Sequence, residues 1–520
     1  MSPSNMLTAA KSQPGPGDIK DDFWVEERYW GHRLWDQQSP WLLFLEFLTV
    51  AEYAHRSGEL FLPSKAQYPF AYNPYLRLHL RNILFNGEQK LAELSDRVPD
   101  SSTAWRDWLL WMRETARGLD PDERDFSYLT KRFSSFSHFA LLIRALRSCA
   151  VESDANKRWS SRFIFPFGEA STFVDLDVTK EGKVEASQYI NFGRTGELLY
   201  QMLARSSRAA ELARVFPGRM FRPNKWDDLV RRLQPDNASI KTVKRGSGGS
   251  SYLPYDSHPV FEIIAEDWLR LLSRDLPGFD AVPYLVTTGA FGIFLYHLHT
   301  SAALLDRTRQ PAIICEVVAP KRGLVREQSV ESYEANNDLS REALDAILER
   351  VSKLDEWNLP GSVPDILARR QDVLKREFRW EDDAGIIDPD ALWLSFKEKV
   401  RARHRQHFSQ VHRTYGRGIG LVSRRGTNRL RYAPTDAFLK AVLFANVEKR
   451  MAFGQFLEML FNRYGLVFGE AQAEQVLNSE DIDKKPFQAN CLRLEQRLSS
   501  LGLLRRLSDA CAYVENPYAH

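Results

Sequence analysis

The sequence predicts a mainly α chain with minor β (α+β), divided into several domains. Three observations carry this. Apolar residues recur at helical spacing through most of the chain. β-branched or alternating runs are short and few. The chain has 520 residues, long enough for about two to four domains with cores of their own. At 43% hydrophobic and 27% charged residues, the composition is that of a soluble globular protein.

Residues 1–21 are polar, contain Pro-Gly-Pro-Gly and lack an apolar signal core, so they read as a disordered tail. Residues 22–240 read as an aromatic-rich, mainly helical domain. Trp24, Tyr29, Trp30, Trp35 and Trp41 fall within eighteen residues. Such density fits either core packing or a partner interface. Ser39-Pro40 is a helix start, a cap followed by proline at the first helical position. Helices follow at Tyr75–Leu84, Trp105–Arg117, His138–Ala150 and Thr195–Arg208. Phe163–Val178 and Lys183–Phe192 look extended. The most apolar run, Trp41–Val50, is broken by Glu46 and is too short to cross a bilayer.

Residues 241–251, KTVKRGSGGSS, read as a flexible linker. No Gly-Lys-Ser/Thr follows, so the glycines do not form a phosphate loop. Residues 252–388 read as a helical central domain, with helices at Pro259–Ser273, Thr287–Leu305, Asn337–Leu354 (Asp338 as cap) and Pro360–Arg379. Ala312–Val318 is β-branched and reads as a buried strand.

Residues 389–432 concentrate positive charge in a basic helix and a hairpin. From Ala391 to Tyr432, eleven Lys or Arg face a single acid, Glu398, in a chain whose net charge is only +3. Lys397, Arg401, Arg405, Arg413 and Arg417 accompany the helical part, which runs to about His412. Arg424, Arg425, Arg429 and Arg431 sit at or beside the turn of a hairpin over Gly418–Tyr432. This is the electrostatic footprint of a phosphate-backbone contact. The alternative is a basic surface that pairs with the acidic remainder of the chain.

Residues 433–520 hold the pattern around which the rest is organised. Thr435 caps a helix with Phe438, Ala441, Val442 and Ala445 on one face. A second helix carries Phe453, Phe456, Leu457, Leu460, Phe461 and Tyr464, and Gly465 stops it. A short helix fits Glu470–Asn478. A third major helix has Phe487, Cys491, Leu494, Leu498 and Leu501 on one face, and Gly502 ends it. Leu503–Leu507 and Ala512–Val514 then form a hairpin. On the helix Phe487–Leu501, Ala489, Arg493, Gln496 and Ser500 lie opposite the apolar face. Arg and Gln make paired hydrogen bonds to base edges. The hairpin adds Arg505 and Arg506. The segment from Pro434 carries ten Lys/Arg against eleven acids, so its own charge does not decide its partner.

Chemistry-bearing motifs are few. A nuclease needs clustered carboxylates and a lysine around a divalent ion. Asp175 and Asp177 alternate on an expected strand, and Glu316 precedes Lys321 by five residues, without the compact acid–lysine spacing. His297 and His299 are two apart and point to different faces of a helix. His404 and His407 share a side with Phe396 and Val400, which points to packing or a phosphate neighbour. Four cysteines, Cys149, Cys315, Cys491 and Cys511, form no CxxC pair, against a zinc ribbon or a disulfide-dense secreted fold. No catalytic residue, cofactor or metal is assigned, and an intracellular, cytoplasmic protein is expected.

The segment FQANCLRLEQRLSSLGLLRRLSDACAYVENP resembles winged helix-turn-helix DNA-binding modules. That likeness covers about the last sixth of the chain and implies double-stranded DNA as partner. More distantly, the aromatic-rich helical start, the C-terminal module and the lack of catalytic motifs resemble large proteins of bacterial anti-phage and DNA-modification islands. This implies a non-enzymatic DNA-binding or scaffolding subunit beside other protein subunits, such as a motor ATPase or helicase. A metal-dependent nuclease using Asp175, Asp177 and Glu316, and a protein-only assembly scaffold, are the alternatives.

Overall fold

Helix Ala281–Leu304 is apolar on every side, so it must be surrounded by protein. Val282, Leu285, Phe291, Phe294, Tyr296 and Leu298 point in different directions from it and all are buried. In the computed structural model, this helix is the axis of a mainly α fold with small β elements. The structure describes residues 7–11, 13–15, 24–36, 38–148, 168–172, 177–178, 184–186, 194–236, 242, 251–276, 280–317, 323–382, 384–423, 429–477, 483–508 and 511–519.

Helices Pro40–Arg56, Pro259–Ser273, Leu324–Ser352, Val411–Gly418 and Asp436–Asn446 pack around the axis. A Cβ on Gly292 would overlap Ile264, so the glycine lets Pro259–Ser273 cross closely. Among the described residues, Ala281–Leu304 is the one helix long and apolar enough to cross a bilayer, and 83% of its most apolar window is buried inside the protein. Its apolarity is that of a core helix. The longest apolar stretch therefore lies here, rather than at Trp41–Val50.

The aromatic N-terminal segment is core. Trp30 is fully buried; its indole N–H donates to Ser301 Oγ at 3.2 Å, and its carbonyl accepts from the Tyr296 hydroxyl at 3.0 Å. Ser39 caps Pro40–Arg56 by accepting from Leu42 N, as the Ser-Pro pair predicts. Glu46 on that helix reaches the start of helix Thr195–Ala204. It accepts from Gly196 N at 2.8 Å and from Gln38 Nε2 at 2.9 Å, while Gln38 Oε1 accepts from Thr195 N at 3.0 Å. Burial, then the Glu197 carboxylate, push the Glu46 carboxyl up to about 8.

The cores do not follow the divisions drawn on the sequence. One large core joins side chains from Val25 to Val514. It takes residues from the stretches read as the N-terminal domain, the central domain, the basic segment and the C-terminal module. A second core lies inside the first stretch, where Trp105, Trp108, Phe126, Phe136 and Phe139 pack with Val230 and Leu233. Composition marks linkers along the chain, but it cannot mark which remote segments share a core. Most of the expected linker at 241–251 lies outside the described residues; within it, Thr242 forms an isolated bridge with Tyr75.

Several element limits differ from expectation. Helix Leu324–Ser352 is longer than the expected Asn337–Leu354. Asp338 lies inside it and pairs with Arg341 at 3.0 Å instead of capping a start. The expected strand at Ala312–Val318 is two residues, Ile313–Ile314, pairing in parallel with Leu466–Val467. Of the two extended stretches expected near Asp175, the described residues hold an antiparallel pair, Asp177–Val178 with Val184–Ala186, but Glu169–Ser171 is a 3-10 turn instead of extended chain.

At the C-terminal end, helix Asp436–Asn446 is capped by Thr435, whose Oγ1 accepts from Phe438 N. Strand Arg450–Ala452 and helix Phe453–Tyr464 follow, then Glu470–Val476 and the long helix Lys484–Ser500. Gly465, at φ +74°, turns the chain out of the second of these helices in a conformation that favours glycine. The hairpin pairs Leu504–Ser508 with Cys511–Glu515, in register Leu504↔Val514 and Arg505↔Tyr513. Strand Arg450–Ala452 adds to its second strand. This unit is bolted to the main core. Arg274 donates to the carbonyls of Phe444, Val447 and Glu448, and Arg463 pairs with Asp267 at 2.7 Å.

Candidate nucleic-acid interface

The basic segment folds as helix Pro389–Gln406, a tight turn at Phe408–Gln410, helix Val411–Gly418, and the paired strands Val422–Ser423 and Arg431–Tyr432. The second helix thus takes residues through Gly418, where a hairpin was expected to begin. Apolar positions Leu392, Phe396, Val400, Phe408, Val411 and Tyr415 enter the core and fix which cations face inward.

Several of those cations are committed to remote acids. Arg431 was expected beside the tip of a phosphate-binding hairpin. It is instead buried in an ion pair with Glu316, the two side chains being 5% and 4% exposed. The same pair removes Glu316 from the nuclease reading, because its carboxylate is neutralised inside the protein. Arg401 binds Asp345 at 2.7 Å. Arg403 pairs with the buried Glu27. Lys397 lies over the Trp393 ring, 5.4 Å from its centre. Arg429 is 76% exposed and 3.8 Å from Glu334. Arg405 and Arg417 are exposed and Arg413 is half-buried. Arg424 and Arg425, like Asp175 and Lys321, lie outside the described residues. Asp177 falls in its short strand, in register with Ala186.

The histidines are packing groups. His404 is buried, with Nδ1 3.5 Å from Glu26 and Nε2 3.3 Å from Ser340 Oγ. His407 stacks on Trp35, with ring centres 4.5 Å apart. Burial pushes His297 down to about 3 and His299 to about 4, so both imidazoles are neutral at ordinary pH. Among the described residues, no group of three or more His, Cys, Asp and Glu is placed to hold a metal ion.

The helix–hairpin face is different. Asp483 caps Lys484–Ser500 by accepting from Lys485 N at 3.1 Å. The buried positions are Phe487, Asn490, Leu494 and Leu498. Asn490 takes the inward place expected of Cys491, which is half-buried. The Asn490 side chain donates to the carbonyls of Cys315 and Phe468 at 3.0 and 2.9 Å and accepts from Val317 N at 2.9 Å. It therefore anchors the helix to residues 315–317, which follow the strand Ile313–Ile314. The opposite side exposes Lys485, Gln488, Ala489, Leu492, Gln496, Ser499 and Ser500. Gln496 lies in the middle of that stripe, and Arg493 is half-buried at its edge.

Arg505 and Arg506 are exposed on the neighbouring strand, and Arg506 Nε lies 3.6 Å from Glu495 of the helix. The strand thus runs alongside the helix, with Arg506 on the side that meets it and Arg505, the preceding residue, on the other face of the strand. Strand Arg450–Ala452 escaped the sequence reading, since three residues between two helices are too few for a period-two pattern. It brings the exposed Arg450, whose guanidinium lies 4.9 Å from the centre of the Tyr513 ring. Two large apolar side chains are also open to solvent here, Leu492 at 45% and Leu507 at 57% exposed.

Comparison of the chain with protein-family models, with curated proteins and with solved structures gives no significant match.

Proposed function

We propose that the chain is a non-enzymatic subunit that binds double-stranded DNA through helix Lys484–Ser500 and hairpin Leu504–Glu515. The observation that supports this most directly is the exposure of Gln496 on the helix and of Arg505 and Arg506 on the strand that follows it. A carboxamide able to pair with a base edge lies beside cations able to meet phosphates. The order of helices and hairpin is the one expected of a winged helix. In this reading, the basic segment mainly ties the chain to itself, with Arg405, Arg413 and Arg417 left to extend the phosphate contact. The resemblance to proteins of anti-phage islands supports a cytoplasmic bacterial defence complex, with a motor ATPase or helicase among its subunits.

The test is duplex binding by the full chain, measured at several salt concentrations, for the parent and for Arg505→Ala/Arg506→Ala. A shallower salt dependence in the variant is the expected result. A protein-only scaffold is the second reading, favoured by the exposure of Leu492 and Leu507. Identical binding by parent and variant at every salt would put that reading first.

A further inference from the structure

Resting on the DNA reading above, this inference concerns the kind of sequence the face would select. A helix in the major groove reads bases with the side chains along the centre of its exposed stripe. Here those are Ala489, Leu492 and Gln496, which are three, four or seven residues apart and so lie one above another. Gln488 is held at the edge by Glu470, 2.5 Å away. Arg493 is half-buried and already engaged with another group.

The chemistry of that stripe discriminates between base pairs. Guanine is gripped best by a guanidinium on O6 and N7, and the arginine of this helix is off centre. Adenine is gripped by a carboxamide on N6 and N7, and Gln496 is at the centre. Of the four bases, thymine alone presents a methyl group in the major groove, where an apolar side chain can cover it. Leu492 and Ala489 supply such side chains one and two turns before Gln496. Against a G·C pair, the same leucine would desolvate polar edges without replacing their hydrogen bonds. We infer that this face selects A·T-rich duplex DNA, with Gln496 reading adenine and Leu492 and Ala489 reading thymine methyl groups. Lys485 of the helix and the exposed Arg505 and Arg506 of the hairpin serve as phosphate contacts and carry no sequence preference.

Three duplexes of equal length test this by fluorescence anisotropy with the full chain at one salt concentration. The first is A·T-rich, the second has the same sequence with deoxyuridine in place of thymidine, and the third is G·C-rich. The A·T-rich duplex is expected to bind about tenfold more tightly than the G·C-rich one. Loss of the methyl groups should weaken binding by about fourfold for each methyl that the helix covers. Leu492→Ala should shrink the difference between thymidine and deoxyuridine by about fourfold, the share of one methyl, and leave the share of Ala489 and the G·C affinity unchanged, while Leu492→Met retains the full difference. Equal affinity for thymidine and deoxyuridine duplexes overturns the inference and leaves DNA binding standing. So does a difference that Leu492→Ala leaves undiminished, or a G·C-rich duplex bound as tightly as the A·T-rich one. Binding to none of the three would overturn the DNA reading together with the inference.

Discussion

Two stretches of this chain carry arginines that read alike in the sequence, and folding sends them to opposite environments. In the basic segment, Arg401, Arg403 and Arg431 are paired with Asp345, Glu27 and Glu316. In the helix–hairpin unit, Arg505 stays exposed and Arg506, half-open to solvent, lies 3.6 Å from Glu495 of its own unit, which is close to neutral in charge. A dense run of cations is therefore a poor guide to a free cationic surface. Whether a charge can meet a ligand depends on the acids brought to it. Here those acids lie 56, 376 and 115 residues away in the chain.

The strongest way to break the comparison is at Arg431. Removing it leaves Glu316 buried without its partner, so Arg431→Ala should cost about 3–5 kcal/mol of stability. Replacing both partners, as in Arg431→Met with Glu316→Leu, should recover most of that loss. Chemical denaturation measures both variants. If Arg431→Ala kept parental stability and lost affinity for DNA instead, the two stretches would have to exchange roles.

Asn490 sharpens the other side of the comparison. Its three hydrogen bonds to main-chain groups hold the candidate recognition helix on the core. Asn490→Leu should lower stability by about 2 kcal/mol, because those groups lose partners while buried. An unchanged melting midpoint would mean that the helix–hairpin unit stands by itself.

A pH profile probes a buried charge of the opposite kind. Folding raises the Glu46 carboxyl from 4.5 to about 8. The folded protein therefore holds an extra proton between these values. The stability this adds is full below about 4.5 and is lost as pH rises through about 8. Glu46→Gln, which keeps an acceptor for Gly196 N, should flatten the fall in stability between pH 5 and pH 9. Parallel profiles for parent and variant would refute this role.

Smaller effects separate the two sets of exposed cations. Arg505→Ala/Arg506→Ala should lower the salt slope of DNA binding by about two units and leave stability nearly unchanged. Arg401→Ala should do neither. Its partly exposed pair with Asp345 contributes less than about 1 kcal/mol, and its guanidinium is already occupied. A change of salt slope in Arg401→Ala would return that part of the basic segment to the interface.

Much of the local structure was legible in the residues. The helix starts at Ser39-Pro40 and Thr435, the stop at Gly465 and the hairpin around Ser508 all depend on neighbours in sequence. So does the helical periodicity that placed Phe487, Leu494 and Leu498 inward. The inward turn of Asn490 was not legible, because a carboxamide reads as polar until the carbonyls of Cys315 and Phe468 are placed against it. Leu492 was missed for the converse reason. Its apolar character suggested nothing unusual until the stripe it shares with Gln496 proved to be open.

By itself, the sequence determined the class of the fold and the faces of most helices, since periodicity, capping and turn chemistry act over a few residues. Only the tertiary structure decided which of its charges are available. It set Arg431 against Glu316, buried Trp30 beside the axial helix, and laid the strand at 450–452 on the hairpin. Each of these joins segments far apart in the chain, and no short-range pattern encodes a long-range partner.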